Sequence, residues 1–134
     1  HKTTQNILKR KAFTVSFADK AHVVECDYVG VVSANKEPNK FEKAGFTAVK
    51  SEFVDAPLIE QLPMAFECEL DKVDDDGLII GKIVNVCADE HILGKDGKPD
   101  PARFTPICFD AANGTYLALG EVVGKAFSDG LKLK

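Results

Sequence analysis

The sequence lacks several features that would each point to a particular class of protein. It has no run of the roughly 18 to 20 apolar residues that a membrane-spanning helix requires. Residues 1–5 are polar, so no signal peptide is expected. The 17 basic residues are outnumbered by 21 acidic ones, and the formal net charge is −4. Because nucleic-acid binding needs a concentrated basic face, we expect neither a nucleic-acid nor a membrane partner.

Cysteine is sparse, and no C-x-x-C pair or histidine cluster accompanies it. The four cysteines lie far apart inside apolar stretches: Cys26, Cys68, Cys87 and Cys108. A disulfide framework is typical of small secreted domains, whereas buried free thiols suit a reducing compartment. The sequence therefore predicts reduced, buried cysteines in a cytoplasmic protein.

Two patterns superficially resemble calcium or nucleotide sites, and both fail on spacing. If Gly77 took the sixth position of an EF-hand loop, Lys72 and Ile83 would take the first and twelfth, which require carboxylates. Residues 120–125 are one residue short of a P-loop, and Ala126 replaces the required Ser or Thr. No G-x-G-x-x-G occurs, so a Rossmann site has no support.

The sequence gives little support for a metal site or a catalytic nucleophile either. His22 and Cys26 are spaced to share one helical face, but two ligands do not make a zinc site. A surface histidine beside a buried cysteine is the simpler interpretation. None of the three histidines lies near a motif-bearing Ser or Cys, so we expect neither a metal site nor a hydrolytic triad.

The first half of the chain predicts short helices around one strand. Residues 3–11 are expected to form a helix with Thr3 or Thr4 as its N-cap. Residues 12–17 alternate as a half-buried strand does, and the side chains expected on its inner face are Phe13, Val15 and Phe17. Asp19 is expected to cap a second helix, whose apolar face would comprise Val24, Tyr28, Val31 and Val32.

A third, short helix is expected with Pro38 in its first turn and Gly45 as its C-terminal cap. Residues 51–63 are expected to be an irregular connection.

The second half predicts mostly strands. Residues 64–71 alternate with a period of two, and Met64, Phe66, Cys68 and Leu70 are expected to face inward. Residues 74–77 are a hairpin turn, and the apolar return strand, residues 78–86, is expected to be buried on both faces. After a polar loop at residues 94–101, residues 115–119 form a last strand. The pattern favours a mainly β protein with short helices, α+β in class, as a barrel or sandwich in one domain.

The first six residues offer the groups that commonly hold a phosphate. Lys2 supplies a cation, Thr3 and Thr4 supply hydroxyls, Asn6 supplies a carboxamide, and a helix start supplies free amides. Capping residues are expected at any helix start, however. An ordinary surface helix is therefore the alternative, and the residues alone favour it.

Several segments, taken in order, resemble one known family. They are H-K-T-T-x-N-I at residues 1–7 with Phe-Thr-Val at 13–15, D-Y-V-G-V-V-S at 27–33, N-K-F at 39–41, A-P-L-I at 56–59, Y-L-x-L-G at 116–120 and G-K-A-F at 124–127. They cover nearly the whole chain, and their order and spacing are similar to the flavin reductase-like family, most closely its flavoredoxin branch.

The resemblance implies a Greek-key split β-barrel, a homodimer, and FMN bound noncovalently near the subunit interface. By the same resemblance, Lys2, Thr3 and Thr4 would meet the FMN phosphate, with Asn6 supporting that turn. The residues expected near the flavin or its pocket wall are Ser33, Lys40 and Phe41. Core packing is an equal alternative for Phe41, and a surface charge is an equal alternative for Lys40.

The resemblance also implies a function without a catalytic side chain, because the flavin carries the electrons. A nicotinamide, NADH or NADPH, or a redox protein would reduce FMN, and the electrons would pass to an acceptor. The alternatives are a flavin-binding electron carrier without turnover and a cofactor-free dimerisation module. Family members usually carry further strands and often a Trp ahead of the first motif, whereas this sequence has no Trp. We therefore expect residues 1–134 to be one such domain that is incomplete at its N-terminus.

Overall fold

The computed structural model describes residues 1–134 and contains three antiparallel sheets with short helices between them. Its helices and strands are α1 Lys2–Arg10, β1 Ala12–Ser16, α2 Val23–Val31, α3 Lys40–Lys43, β2 Ala48–Lys50, β3 Pro57–Ile59, β4 Met64–Val73, β5 Ile79–Ala88, α4 Pro101–Phe104, β6 Ile107–Asp110 and β7 Thr115–Ala118. Short 3-10 helices lie at Lys20–His22, Glu90–Ile92 and Asp129–Leu133. The predicted α+β class, mainly β with short helices, is confirmed.

The predicted first helix is confirmed, but its predicted cap is wrong. The helix begins at Lys2, so Thr3 and Thr4 lie inside its first turn, and no side chain caps it. It ends where Lys11 takes a left-handed conformation, with φ 58°, and donates its amide to the carbonyl of Ile7 at 2.8 Å. Ile7 is the buried residue of this helix.

The central sheet has the order β1-β4-β5, with both pairs antiparallel. The hairpin predicted between β4 and β5 is confirmed. Gly77 takes a positive φ of 83°, and Oδ1 of Asp74 accepts the amides of Asp76 and Leu78 at 3.1 and 2.8 Å. Glycine tolerates that backbone conformation and aspartate completes the turn, so local chemistry alone specifies this element.

The prediction that the return strand is buried on both faces is wrong. β5 is the edge strand of its sheet, because β4 is its one strand partner. Its apolar side chains are consequently open to solvent: Leu78 just before it is 64% exposed, and Ile83 and Val86 are each 51% exposed.

The predicted inner faces of β1 and β4 also need correction. Val15 is 45% exposed, whereas Ala12 is buried. Further along β4 the predicted inner face holds, since Cys68 is buried whereas Glu69 and Asp71 are exposed. In the first half of β4, however, the opposite face is buried as well, and Glu67 is only 1% exposed. The reason is that residues 51–56, which have no regular secondary structure, lie across this face.

Asp19 caps the 3-10 helix Lys20–His22, because its Oδ1 accepts the amide of His22 at 2.9 Å. The prediction that Asp19 caps the second helix is wrong, since α2 begins after this 3-10 helix, with His22 at its N-cap position and no side-chain cap. His22 is half-buried rather than on the surface, and its Nδ1 lies 2.8 Å from Oδ1 of Asp19. The predicted apolar face is only partly covered, since Tyr28 and Val32 are half-buried whereas Val24 and Val31 are 78% and 73% exposed.

The third helix ends as predicted, with Gly45 at φ 76°, but it begins at Lys40. Pro38 lies in the preceding turn rather than in the first helical turn. Strand β3 lies within residues 51–63, which were expected to be irregular, and pairs with β2. β7 confirms the predicted last strand, whereas its partner β6 was not predicted.

The four cysteines are free thiols, but they are not all buried. Cys68 is buried, Cys26 and Cys87 are half-buried, and Cys108 on the outer strand β6 is exposed. Burial raises the pKa of the Cys26, Cys68 and Cys87 thiols above the ordinary value, so these three stay protonated at neutral pH. No helix combines the length and apolar character needed to cross a bilayer.

Candidate functional site

One cleft of about 850 Å³ lies between α1, β1 and the segment that follows β2. Nineteen residues line it, and ten of them are hydrophobic. The lining residues are Thr3, Asn6, Ile7 and Arg10 from α1, Ala12, Phe13 and Thr14 from β1, Phe41 from α3, residues 48–57, and Ile59. An apolar cavity with a few convergent polar groups is typical of a small-molecule site.

The start of α1 presents polar groups at this cleft. Thr3 and Asn6 line it, and the first turn contains neither a capping side chain nor an acidic residue. The first amides of a helix have no partner within the helix, and the helix dipole adds positive potential there. The first turn of α1 therefore suits an anion such as a phosphate.

The structure brings three of the predicted site residues to the cleft: Thr3, Asn6 and Phe41. Lys2 and Thr4 belong to the same first turn of α1 but do not line the cleft. Nothing in the arrangement tests their contact with a phosphate, so that role stays a prediction.

Ser33 and Lys40 lie away from the cleft lining and make contacts of their own. Nζ of Lys40 donates to the carbonyls of Val29 and Val32 at 2.6 and 2.7 Å, at the C-terminal end of α2. Oγ of Ser33 accepts the amide of Asn35 at 3.3 Å. Lys40 thus satisfies carbonyls that end α2, and a flavin contact for either residue stays a prediction.

We expect Lys40→Met to lower the free energy of unfolding by about 1 to 2 kcal/mol, because two helix-terminal carbonyls lose a charged donor. Urea denaturation at pH 7 measures this change. Lys43→Met is the matched control, since Lys43 pairs with Glu37 at the exposed surface, where an ion pair contributes about 0 to 1 kcal/mol. Equal losses in the two variants would contradict the capping role.

Residues 51–57, termed the wall segment below, form the side of the cleft that sequence reasoning missed. Asp55 in this segment pairs with Arg10 at 2.7 Å and so connects it to the last turn of α1. The A-P-L-I block at residues 56–59 carried part of the resemblance, but nothing in it marked the preceding residues as lining a cavity. Both partners of the ion pair are exposed, so it contributes at most about 1 kcal/mol.

A buried carboxylate holds the wall segment to the central sheet. Oε1 of Glu67 accepts the amides of Glu52 and Phe53 at 2.9 and 3.1 Å, and Oε2 accepts Nδ2 of Asn85 at 2.5 Å. Burial raises the pKa of Glu67, but these donors, together with Ser51, outweigh burial and hold the pKa below its ordinary value. Glu67 is therefore ionised at neutral pH.

Comparisons with known proteins point in one direction. Flavoredoxin of Desulfovibrio vulgaris (Miyazaki F) is 40% identical and superposes with a TM-score of 0.91, over 96% of this chain and 69% of its own. Flavoredoxin from Methanosarcina acetivorans is 26% identical with a TM-score of 0.89, over 100% of this chain and 72% of its own. An uncharacterized protein of Aquifex aeolicus is 32% identical over 108 residues, 78% of this chain, and the chain spans only 55% of that relative's length.

The fold and the family follow from these similarities. A flavin reductase with a split barrel domain from Shewanella frigidimarina has a TM-score of 0.72 at 18% identity, over 95% of this chain and 66% of its own. That likeness concerns the fold alone, and with the flavoredoxins it confirms the predicted split β-barrel type. The three sheets of this chain do not close into a barrel by themselves. The flavin reductase like domain family matches residues 1–107, and the chain belongs to this family.

Proposed function

We propose that the chain binds FMN in the cleft and serves as an oxidoreductase of the flavin reductase or flavoredoxin type. Electrons from NAD(P)H or a redox protein would pass through FMN to an acceptor. The observation that carries this proposal is the meeting of Thr3, Asn6 and Phe41 in one cleft, on a chain of the flavin reductase like family. The free thiols support a reducing, cytoplasmic location.

The cleft fits FMN in size and in chemistry. Small-molecule sites measure about 300 to 1,000 Å³, and this cleft has about 850 Å³. The uncapped amides of α1, with Lys2, Thr3 and Thr4 in the same turn, suit the phosphate. Apolar side chains such as Phe41 and Val49 suit the flat ring. When bound, FMN supplies the redox chemistry.

In this proposal the residues of the chain bind FMN, orient it and shield it from water. The amides and hydroxyls of the first turn of α1 hold the phosphate, and Asn6 supports that turn from the next one. Phe41 and the wall segment exclude water from the apolar part of the cleft. Ser33 and Lys40 do not line the cleft, so a role for them near the flavin is proposed from the family resemblance alone. No side chain has to act as nucleophile, acid or base.

Replacing Thr3 with Val is expected to weaken FMN binding about tenfold, because a hydrogen bond to a charged group is lost. Riboflavin, which has no phosphate, should bind equally well before and after the change. Quenching of flavin fluorescence in titrations of the purified protein measures both affinities. Lys9→Ala, in the last turn of α1, is the control that should leave both unchanged. A wild-type chain that binds neither flavin would overturn the proposed function.

The exposed apolar side chains of β5 support the homodimer and favour one alternative function, a cofactor-free dimerisation module. Sedimentation equilibrium tests the dimer, and the flavin titration separates the module from a flavoprotein. A carrier without turnover would bind FMN but would not oxidise NAD(P)H in the steady state.

A further inference from the structure

The proposed function leaves one buried charged group unused. Glu67 is 1% exposed and does not line the cleft, and three donors occupy its two oxygens. It therefore touches neither solvent nor a molecule in the cleft. Any influence of this carboxylate on binding must pass through the groups that it holds.

Those groups belong to the wall segment. Its residues 51–56 have no regular secondary structure, so side chains from elsewhere determine where it lies. Glu67 holds its beginning, and Oγ1 of Thr14 donates to the carbonyl of Pro57 at its end, at 2.6 Å. Thr14 and Glu67 are register partners in β1 and β4. Both anchors therefore lie side by side on neighbouring strands, so the central sheet determines where the wall segment lies.

The wall segment and the phosphate-binding turn lie toward different ends of α1. Asp55 of the wall segment pairs with Arg10 in the last turn of α1, whereas Thr3 lies in the first turn. The wall segment contributes the apolar Phe53 to the lining, and the apolar Val49 lies just before the segment. The wall segment therefore borders the part of the cleft that suits a flat ring rather than the part that suits a phosphate.

We propose that Glu67 is a positioning residue for the flavin ring: by holding the amides of Glu52 and Phe53, it sets the width of the cleft beside the ring. This inference rests on the proposed function. A displacement of about 1 Å in a group that positions a bound molecule can cost about 100-fold in rate, and loss of fit beside the ring should lower affinity as well. The expected effect is on the ring, so the affinities for FMN and riboflavin should fall alike. Thr3→Val, by contrast, is expected to weaken FMN binding only.

The test compares two substitutions of nearly equal volume. In Glu67→Gln, the side-chain carbonyl still accepts both wall amides, and the Asn85 amide can turn to present its oxygen. In Glu67→Met, no acceptor remains. Glu69→Met, in the same strand but exposed, is the matched control. FMN and riboflavin affinities are measured by fluorescence quenching, and hydrogen exchange of the Glu52 and Phe53 amides is followed in the same samples.

We expect Glu67→Met to weaken the binding of both flavins by about tenfold and to speed hydrogen exchange at both amides. Glu67→Gln and Glu69→Met should keep affinities and exchange rates near those of the wild type. If Glu67→Met does not fold, Asn85→Ala replaces it in the test. This variant is expected to lose less affinity, again for both flavins. Wild-type affinity in the folded variant, or a loss confined to FMN, would overturn the positioning role. A wild-type chain that binds neither flavin would instead overturn the proposed function, and the exchange data would still report whether Glu67 holds the wall segment.

Discussion

Glu67→Ala is expected to lower the free energy of unfolding at pH 7 by about 3 to 5 kcal/mol, the largest effect of any single substitution considered. The substitution leaves the amides of Glu52 and Phe53 and the carboxamide of Asn85 without their acceptor. It also opens a void beneath the wall segment. Urea denaturation measures the loss, and Glu69→Ala, at an exposed position further along the same strand, should change stability little. Similar losses in the two variants would contradict the expectation.

The contribution of Glu67 also has a definite pH dependence. Its pKa in the folded chain lies below the ordinary value of 4.5, because the donors outweigh burial. A carboxylate with a lowered folded pKa stabilises the protein above its unfolded pKa and loses that contribution as the pH falls through the folded pKa. The stability difference between wild type and Glu67→Gln should therefore shrink on acidification below about pH 4.5. A difference that stays constant from neutral to strongly acidic pH would contradict this assignment.

Gly81→Val is expected to cost about 2 to 3 kcal/mol, because the site has no room for a side chain. A Cβ at Gly81 would overlap the ring of Phe13, which reaches across β4, and would lie 3.3 Å from Cβ of Cys68. Valine ordinarily favours strands, so a net loss points to this overlap rather than to backbone preference.

A double-mutant cycle with Phe13→Leu tests the cause of that loss. The smaller side chain withdraws from Gly81, so the combined variant should recover about 1 kcal/mol or more relative to the sum of the single losses. Thermal or urea unfolding of the four proteins supplies the cycle. Simple additivity of the two substitutions would show that Phe13 is not the obstacle.

The sequence predicted the elements that depend on neighbouring residues and missed those that depend on distant ones. The turn at Gly77 and the end of α3 at Gly45 each follow from local backbone chemistry, and both are confirmed. Asp19 is a helix cap as well, but of the 3-10 helix ahead of α2 and not of α2 itself. The position of β5 at a sheet edge depends on which strands pair, and its apolar composition fits a central strand equally well. Hydrophobic periodicity alone does not distinguish an edge strand from a central strand.

The candidate site shows the same division. Thr3 and Asn6 both reach the cleft because they lie three residues apart on one predicted helix and so share a face of it. The wall segment was missed because Glu67 looks like a solvent-facing residue in the alternating pattern of β4. Its donors are Asn85, 18 residues later, and two amides 14 and 15 residues earlier. Only the folded chain brings them together.

The open edge of β5 leaves a newly made chain able to pair with other extended chains. A row of unpaired amides and carbonyls flanked by Ile and Val side chains accepts any extended chain that reaches it first. Fibril-like stacking would use this edge, and Lys82 is the single charge within residues 79–88 that opposes it. We therefore expect the yield of native protein to fall as the concentration of unfolded chain rises, because stacking at β5 requires two chains to meet.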